Sequence, residues 1–209
     1  GPVTGAGALR IGLNNSGTVF GYGTVRLSGN VNGISTNTYT GGTTIQTARI
    51  QIGADSSWIG PATAPSAILS GPFGLGTIQL GQASFGDQGV LEAYGADRVV
   101  VNPLGSINWN AASITYFGGH YNLTLSRALD LQSSTGTIAR TFQVDTTQGS
   151  VILAGTLSNS QGLTFSKTGR GTLVLSGANT FTSPLTISAG MVQVSADNNL
   201  STGTTAVVL

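Results

Sequence analysis

Gly23-Thr24-Val25-Arg26-Leu27-Ser28-Gly29 near the start of the chain is answered near its end by Gly171-Thr172-Leu173-Val174-Leu175-Ser176-Gly177. Each copy continues alike. Asn37-Thr38-Tyr39-Thr40 matches Asn179-Thr180-Phe181-Thr182, Thr44-Ile45 matches Thr186-Ile187, and Ile50-Gln51-Ile52 matches Val192-Gln193-Val194. A repeat of this size cannot bury its apolar face alone and must stack on its neighbours, so the chain reads as a piece of a stack. Within the copies apolar residues recur at every second position, the period of a strand and not of a helix.

The same alternation runs through Leu9-Arg10-Ile11-Gly12-Leu13, Ile78-Gln79-Leu80, Ile107-Asn108-Trp109, Leu123-Thr124-Leu125, Leu129-Asp130-Leu131 and Phe142-Gln143-Val144. Gly, Asn, Asp and Ser separate these runs, the residues that accept tight-turn backbone angles. Short strands at regular spacing fit an antiparallel sandwich or a parallel solenoid. Three observations favour the solenoid. The hairpin pair Asn-Gly occurs only at Asn32-Gly33. Asn, Ser and Thr recur at matching places, where stacked coils align them into hydrogen-bonded ladders. Charge is scarce, with eight Lys or Arg and seven Asp or Glu in 209 residues, and stacked coils penalise like charges in register. The expected fold is all-β, a right-handed single-stranded parallel β-helix of roughly seven to nine coils, about 35 to 45 Å long at about 4.8 Å per coil.

Composition excludes several functions. A net charge of +1 gives no basis for nucleic acid or an anionic membrane as partner. No cysteine is present, so there is neither a disulfide framework nor a thiolate metal site; proteins that cross a periplasm often avoid cysteine, since a premature disulfide would fix a loop before export. No apolar run approaches the roughly 18 residues of a spanning helix. Gly1-Pro2 reads as the scar of a removed tag, with residues 3–209 as one β-helix fragment and repeat copies at 21–52 and 169–194. The first copy carries an insertion between Gly29 and Asn37, and the stretch 53–75, holding Trp58, Pro61, Pro65 and Pro72, reads as a loop leaving the coil. A solenoid cut from its neighbours exposes strand edges, so the fragment is expected to associate end to end.

The run from Lys167 to Thr182, continuing through Ile187-Ser188-Ala189-Gly190-Met191-Val192-Gln193-Val194, resembles the passenger-associated strand repeat of autotransporters. The copy at Gly21 to Ile52 is looser, with Ala48 and Arg49 where the pattern prefers Gly and Leu. The second copy has Ser183-Pro184-Leu185 where Gly41-Gly42-Thr43 keeps the usual form. The resemblance implies a secreted or cell-surface bacterial protein exported through the outer membrane. In it the chain is a non-catalytic stalk that folds stepwise outside the cell, has neighbouring repeats of the same long chain as partners, and presents adhesive parts to a host or matrix protein or a glycan.

Catalysis needs residues that this chain barely supplies. A glycosidase requires two carboxylates about 5 to 9.5 Å apart, and the acids Asp55, Asp87, Glu92, Asp97, Asp130, Asp145 and Asp197 show no adjacent pair. Asp87, Glu92 and Asp97 with Arg98 form the one conceivable acid-plus-arginine site, against the ordinary reading of turn caps and solvated charges. His120 is the single histidine, beside Gly118-Gly119, and no Gly-x-Ser-x-Gly elbow, calcium nonapeptide or phosphate loop accompanies it. Neither metal nor cofactor is expected, and no enzyme. The binding candidates are aromatic: Trp109, Tyr116 and Tyr121, joined by Trp58 in the excursion. Trp109, Tyr116, Phe117 and Tyr121 also suit a core in which alternate rings point inward. A glycan-binding or polysaccharide-cleaving β-helix with a groove near residues 109–121 is the alternative function.

Overall fold

The computed structural model describes residues 2–11, 23–29, 32–45, 48–61, 66–80, 89–101, 107–108, 114–131, 138–159, 163–201 and 207–209. The chain starts with β1 (Leu9–Ile11), β2 (Gly23–Ser28), β3 (Thr43–Ile45) and β4 (Ala48–Gly53). A hairpin follows, β5 (Ser57–Ile59) with β6 (Ala67–Ser70). The chain then cycles through β7 (Ile78–Leu80), β8 (Val90–Ala93), β9 (Arg98–Val100), β10 (Ile107–Asn108), β11 (Ile114–Gly119), β12 (Leu123–Leu125), β13 (Leu129–Asp130), β14 (Ile138–Val144), β15 (Ser150–Leu153) and β16 (Leu157–Ser158). It ends with β17 (Leu163–Thr168), β18 (Thr172–Leu175), β19 (Leu185–Ile187), β20 (Met191–Val194) and β21 (Val207–Val208). One short 3-10 turn, Asp197–Asn199, is the only helical element among the described residues.

Three faces organise these strands. Face one stacks β2-β4-β8-β11-β14-β17-β19-β21, face two β9-β12-β15-β18-β20, and face three β1-β3-β7-β10, with β13-β16 continuing beyond β10. Successive strands visit the faces in turn: β8, β9, β10, then β11, β12, β13, then β14, β15, β16. Every pairing within a face is parallel, and β5 with β6 is the antiparallel exception among the described residues. The fold is thus all-β with parallel strands, consistent with a β-solenoid. The stretch after Ser56 contributes that hairpin, which is paired to itself and not to a face.

Register explains the core. Val25, Ile50, Leu91, Phe117 and Val144 stand one above another on face one, as do Val100, Leu125, Leu153, Leu175 and Val194 on face two. Their alternate neighbours face outward, so each coil supplies apolar residues from all its strands to a single cluster. Inside runs an aromatic stack: Phe117 on Phe142, Phe142 on Phe165 and Phe165 on Phe181, with centroids 5.8, 5.1 and 5.5 Å apart and near-perpendicular rings. Edge-to-face pairs of this kind add about 0.5–1.5 kcal/mol beyond area burial. Of the aromatic run around Tyr116, Phe117 points inward while Tyr116 and Tyr121 lie on the outer surface. Phe117 sits in the rung beside the fully buried Phe142. Trp109 lies outside the described residues.

The residues shared by the two repeat copies have identical tasks. In each, the first strand pairs in register with the last: Val25 with Ile50 and Leu27 with Ile52, Leu173 with Val192 and Leu175 with Val194. The asparagine that follows clasps two coils. Asn37 Oδ1 accepts from Val3 N (2.9 Å) and its amide donates to Pro72 O (3.5 Å). Asn179 Oδ1 accepts from Leu157 N (2.7 Å), and its amide donates to Asn199 O. Next comes a buried ring, Tyr39 or Phe181. Burial raises the Tyr39 pKa, opposed by the hydrogen bond its hydroxyl makes to Thr43. Where the second copy has Phe181, Leu185 replaces that threonine, so a hydrogen-bonded pair gives way to an apolar one. Gly177 is required by contact: a Cβ there would overlap the backbone of Gly155 in the coil before.

The copies nevertheless occupy different faces. The first runs from β2 on face one through β3 on face three and back to β4 on face one. The second runs from β18 on face two through β19 on face one to β20 on face two. The motif has moved on by one face.

Two buried cations donate to backbone carbonyls. Lys167, the single lysine, is fully buried, and its Nζ donates to Thr168 O, Gly169 O and Ala189 O at 2.7, 2.8 and 3.0 Å. Burial lowers its pKa, opposed by Asp145. Arg140, also buried, donates from Nε to Leu131 O (2.7 Å); burial brings its pKa down to about 10, against the pull of Asp130.

Three substitutions measure these contributions. Phe142→Ala removes the ring with aromatic contacts on both sides and is expected to cost about 3–5 kcal/mol by urea denaturation. Asn179→Ala leaves buried backbone groups of two neighbouring coils without partners, at about 1–3 kcal/mol for each such group. Asn37→Ala, at a half-buried position, is expected to cost less.

Candidate functional site

The outer surface of face one carries three columns of side chains. The first contains Arg49, Val90, Tyr116 and Gln143, each the register partner of the last. The second contains Arg26, Gln51, Glu92 and Gly118. Asp145 continues it, because Asp145 N donates to Phe117 O (2.8 Å) and so sets Asp145 beside Gly118. The third holds Tyr94, His120 and Thr147, carried on by Thr147 N to Gly119 O (3.0 Å).

Opposite and neutral groups alternate in the second column. Arg26 donates from Nε and Nη2 to Gln51 Oε1 (3.1 and 3.0 Å), and the Gln51 amide donates to Glu92 Oε1 (2.8 Å). Arg49 Nη1 donates to Glu92 Oε2 at 2.9 Å. Glu92 is only 4% exposed, and with both oxygens accepting it is a buried carboxylate whose charge is met. Arg26 also lies over the Tyr94 ring, Cζ 3.6 Å from the centroid. Further along, Gln143 donates to Asp145 Oδ2 (2.7 Å), and His120 Nδ1 shares a hydrogen with Thr147 Oγ1 (2.8 Å). Between Glu92 and Asp145 the column has no side chain, since that rung is Gly118. A groove of about 710 Å³ opens there.

Asp55 and Asp97 bind backbone N–H groups. At the corner between faces one and two, Asp55 Oδ1 accepts from Val99 N (2.8 Å), Asp97 Oδ1 from Asn122 N (2.9 Å) and Asn122 Oδ1 from Ser150 N (2.8 Å). Each side chain thereby holds the backbone of the following coil. The acid-plus-arginine grouping does not assemble among the described residues. Glu92 pairs with Arg49, Arg98 Nη1 lies 3.5 Å from Asp55 Oδ2, and Asp97 bonds to Asn122; Asp87 is outside the described residues. No group of three or more His, Asp or Glu able to hold a metal occurs among the described residues. No helix there is long and apolar enough to cross a membrane.

Of the aromatic candidates, the structure brings Tyr116 and Tyr121 together as lining of the groove. Trp58 sits on the β5–β6 hairpin opposite Ile68, apart from that lining. Sequence reading did not join Tyr94, Gln143 and Asp145 to the site. Their signal lies only in register, between residues about one coil of chain apart.

The strand architecture and the doubled coil define the kind of protein this is, a stack of parallel strands built on a repeat. Residues 18–52 and 165–194 match the passenger-associated-transport-repeat family. The repeat has an autotransporter passenger-associated role and implies a secreted or cell-surface bacterial protein; it is a structural repeat and not a known enzyme family. No curated protein and no solved structure is significantly similar to the chain.

Asp97 gives the corner a pH dependence. The Asn122 backbone N–H, then the Asn122 side-chain amide, holds its carboxyl below the ordinary value of 3.8, slightly opposed by burial. With the folded pKa below the unfolded one, its stabilisation is present above pH 3.8 and disappears as pH falls through the folded value. In urea titrations the parent protein is expected to exceed Asp97→Ala in midpoint at neutral pH, and the gap is expected to narrow in acid.

Proposed function

We propose that the chain is a non-catalytic stalk segment of a bacterial surface protein, a right-handed β-helix of seven to nine coils over residues 3–209, with 53–75 as an excursion. It folds coil by coil during export through the outer membrane and presents adhesive parts at the cell surface. Its constant partners are neighbouring repeats of the same long chain; beyond them the rod faces a host or matrix protein or a glycan. One observation carries this reading. The residues common to both copies, from Gly177 and Asn179 to the paired strands, all serve coil-on-coil contact. Each coil so built is a template for the next, and no large long-range nucleus has to form at once.

The non-catalytic part is tested by reducing-sugar release over a panel of polysaccharides. No turnover is expected; turnover abolished by Glu92→Gln or Asp97→Asn would overturn it. The export part is tested in the parent surface protein. Phe142→Ala and Asn179→Ala are expected to reduce the amount displayed on the cell in step with their measured loss of stability. Full display by a variant whose segment is unfolded would refute that role.

A further inference from the structure

We propose that the notch at Gly118 on face one is a subsite for one ring of a neutral, hydroxyl-rich oligosaccharide. This proposal is independent of the stalk reading. The notch is a missing side chain in an otherwise filled column. Glu92 and Asp145 bound it along the rod, two rungs and so about 9.6 Å apart in the backbone. Tyr116 and His120 bound it along the strand, with the 40% exposed Tyr121 at its rim.

The gap has no backbone cause. Gly119 needs its glycine, with φ at +92°, but Gly118 does not have such an angle, and a Cβ on it would meet only the Glu92 Oε2 at 3.4 Å and Val90 Cγ1 at 3.7 Å, ordinary contacts. A strand glycine weakens its strand and marks a place where something else approaches closely. Here a side chain would fit and the space is left open.

The walls select the occupant. Tyrosine rings supply flat apolar faces, and the carboxylate, amide and imidazole groups accept or donate hydrogen bonds to hydroxyls. Asp145 is exposed, with Gln143 on one oxygen, and Thr147 occupies Nδ1 of His120, leaving Nε2 to a ligand. A uronate, sialate or sulfated sugar would face the exposed Asp145 carboxylate, and juxtaposed like charge disfavours it. Arg49 already neutralises Glu92, so the site does not call for a cationic ligand either.

Calorimetric titration with maltohexaose, cellohexaose, mannohexaose and galactohexaose, and with oligogalacturonate and a heparin hexasaccharide as the anionic arm, tests this. At least one neutral oligosaccharide is expected to bind at low-millimolar concentration or better, and the anionic ones more weakly. Gly118→Val is expected to fill the notch and weaken binding by about tenfold or more while keeping the melting temperature, since β-branched residues suit strands. Gly118→Ala, whose Cβ has room, serves where valine lowers that temperature and is expected to weaken binding too. Tyr121→Ala, at an exposed position, is expected to reduce affinity by about tenfold. Silence on every neutral oligosaccharide, preference for the anionic ones, or affinity indifferent to Gly118→Ala and Tyr121→Ala would overturn the proposal.

Discussion

Parallel stacking gives every side chain two unavoidable neighbours, the residues at its own register position one rung before and one rung after. In a globular core a side chain can choose among partners from several directions. Here the spacing of about 4.8 Å fixes them. Apolar positions become continuous columns, so Ile50 is answered by Leu91 and Leu91 by Phe117. Polar positions obey the same constraint: Arg26, Gln51 and Glu92 follow one another because the cation donates to the amide oxygen and the amide in turn donates to the carboxylate. A second cation or carboxylate directly in register would repel. The low charge content of the chain is a consequence.

This constraint also separates what was legible in the sequence from what was not. Strands such as Leu123–Leu125 and Thr172–Leu175 are local events, and alternation displays them without any knowledge of partners. The shared Asn37 and Asn179 could be seen to recur, but their work could not be read, because each holds backbone groups in the coils before and after it. A turn cap is a local expectation for Asp97, whereas the backbone N–H that it binds belongs to Asn122 in the next coil. The groove was the least visible feature. Glu92 meets Arg49 across 43 positions of chain, and the emptiness at Gly118 acquires meaning only once Asp145 is placed beside it.

Rung spacing likewise explains how the fold absorbs irregularity. A residue inserted within a strand would shift every column beyond it, whereas residues inserted at a corner leave the columns intact. The first copy places its extra residues after Gly29, at a corner, and Ile34 bridges to Asp55 to resume the stack. The β5–β6 hairpin departs after Ser56 and is closed off by Gly71, whose N–H donates to Asn37 O (3.1 Å). Variation and regularity thus coexist in one chain because they use different parts of each coil.

The one-face displacement between the two copies matters for anything attached to them. The corner after Gly29 follows a strand on face one, while the equivalent corner after Gly177 follows a strand on face two. Equal insertions at those two points would therefore emerge from different sides of the shaft, like treads on a spiral stair. Decorations placed by the motif need not crowd one flank, and a surface approaching from either of those directions would find one presented to it.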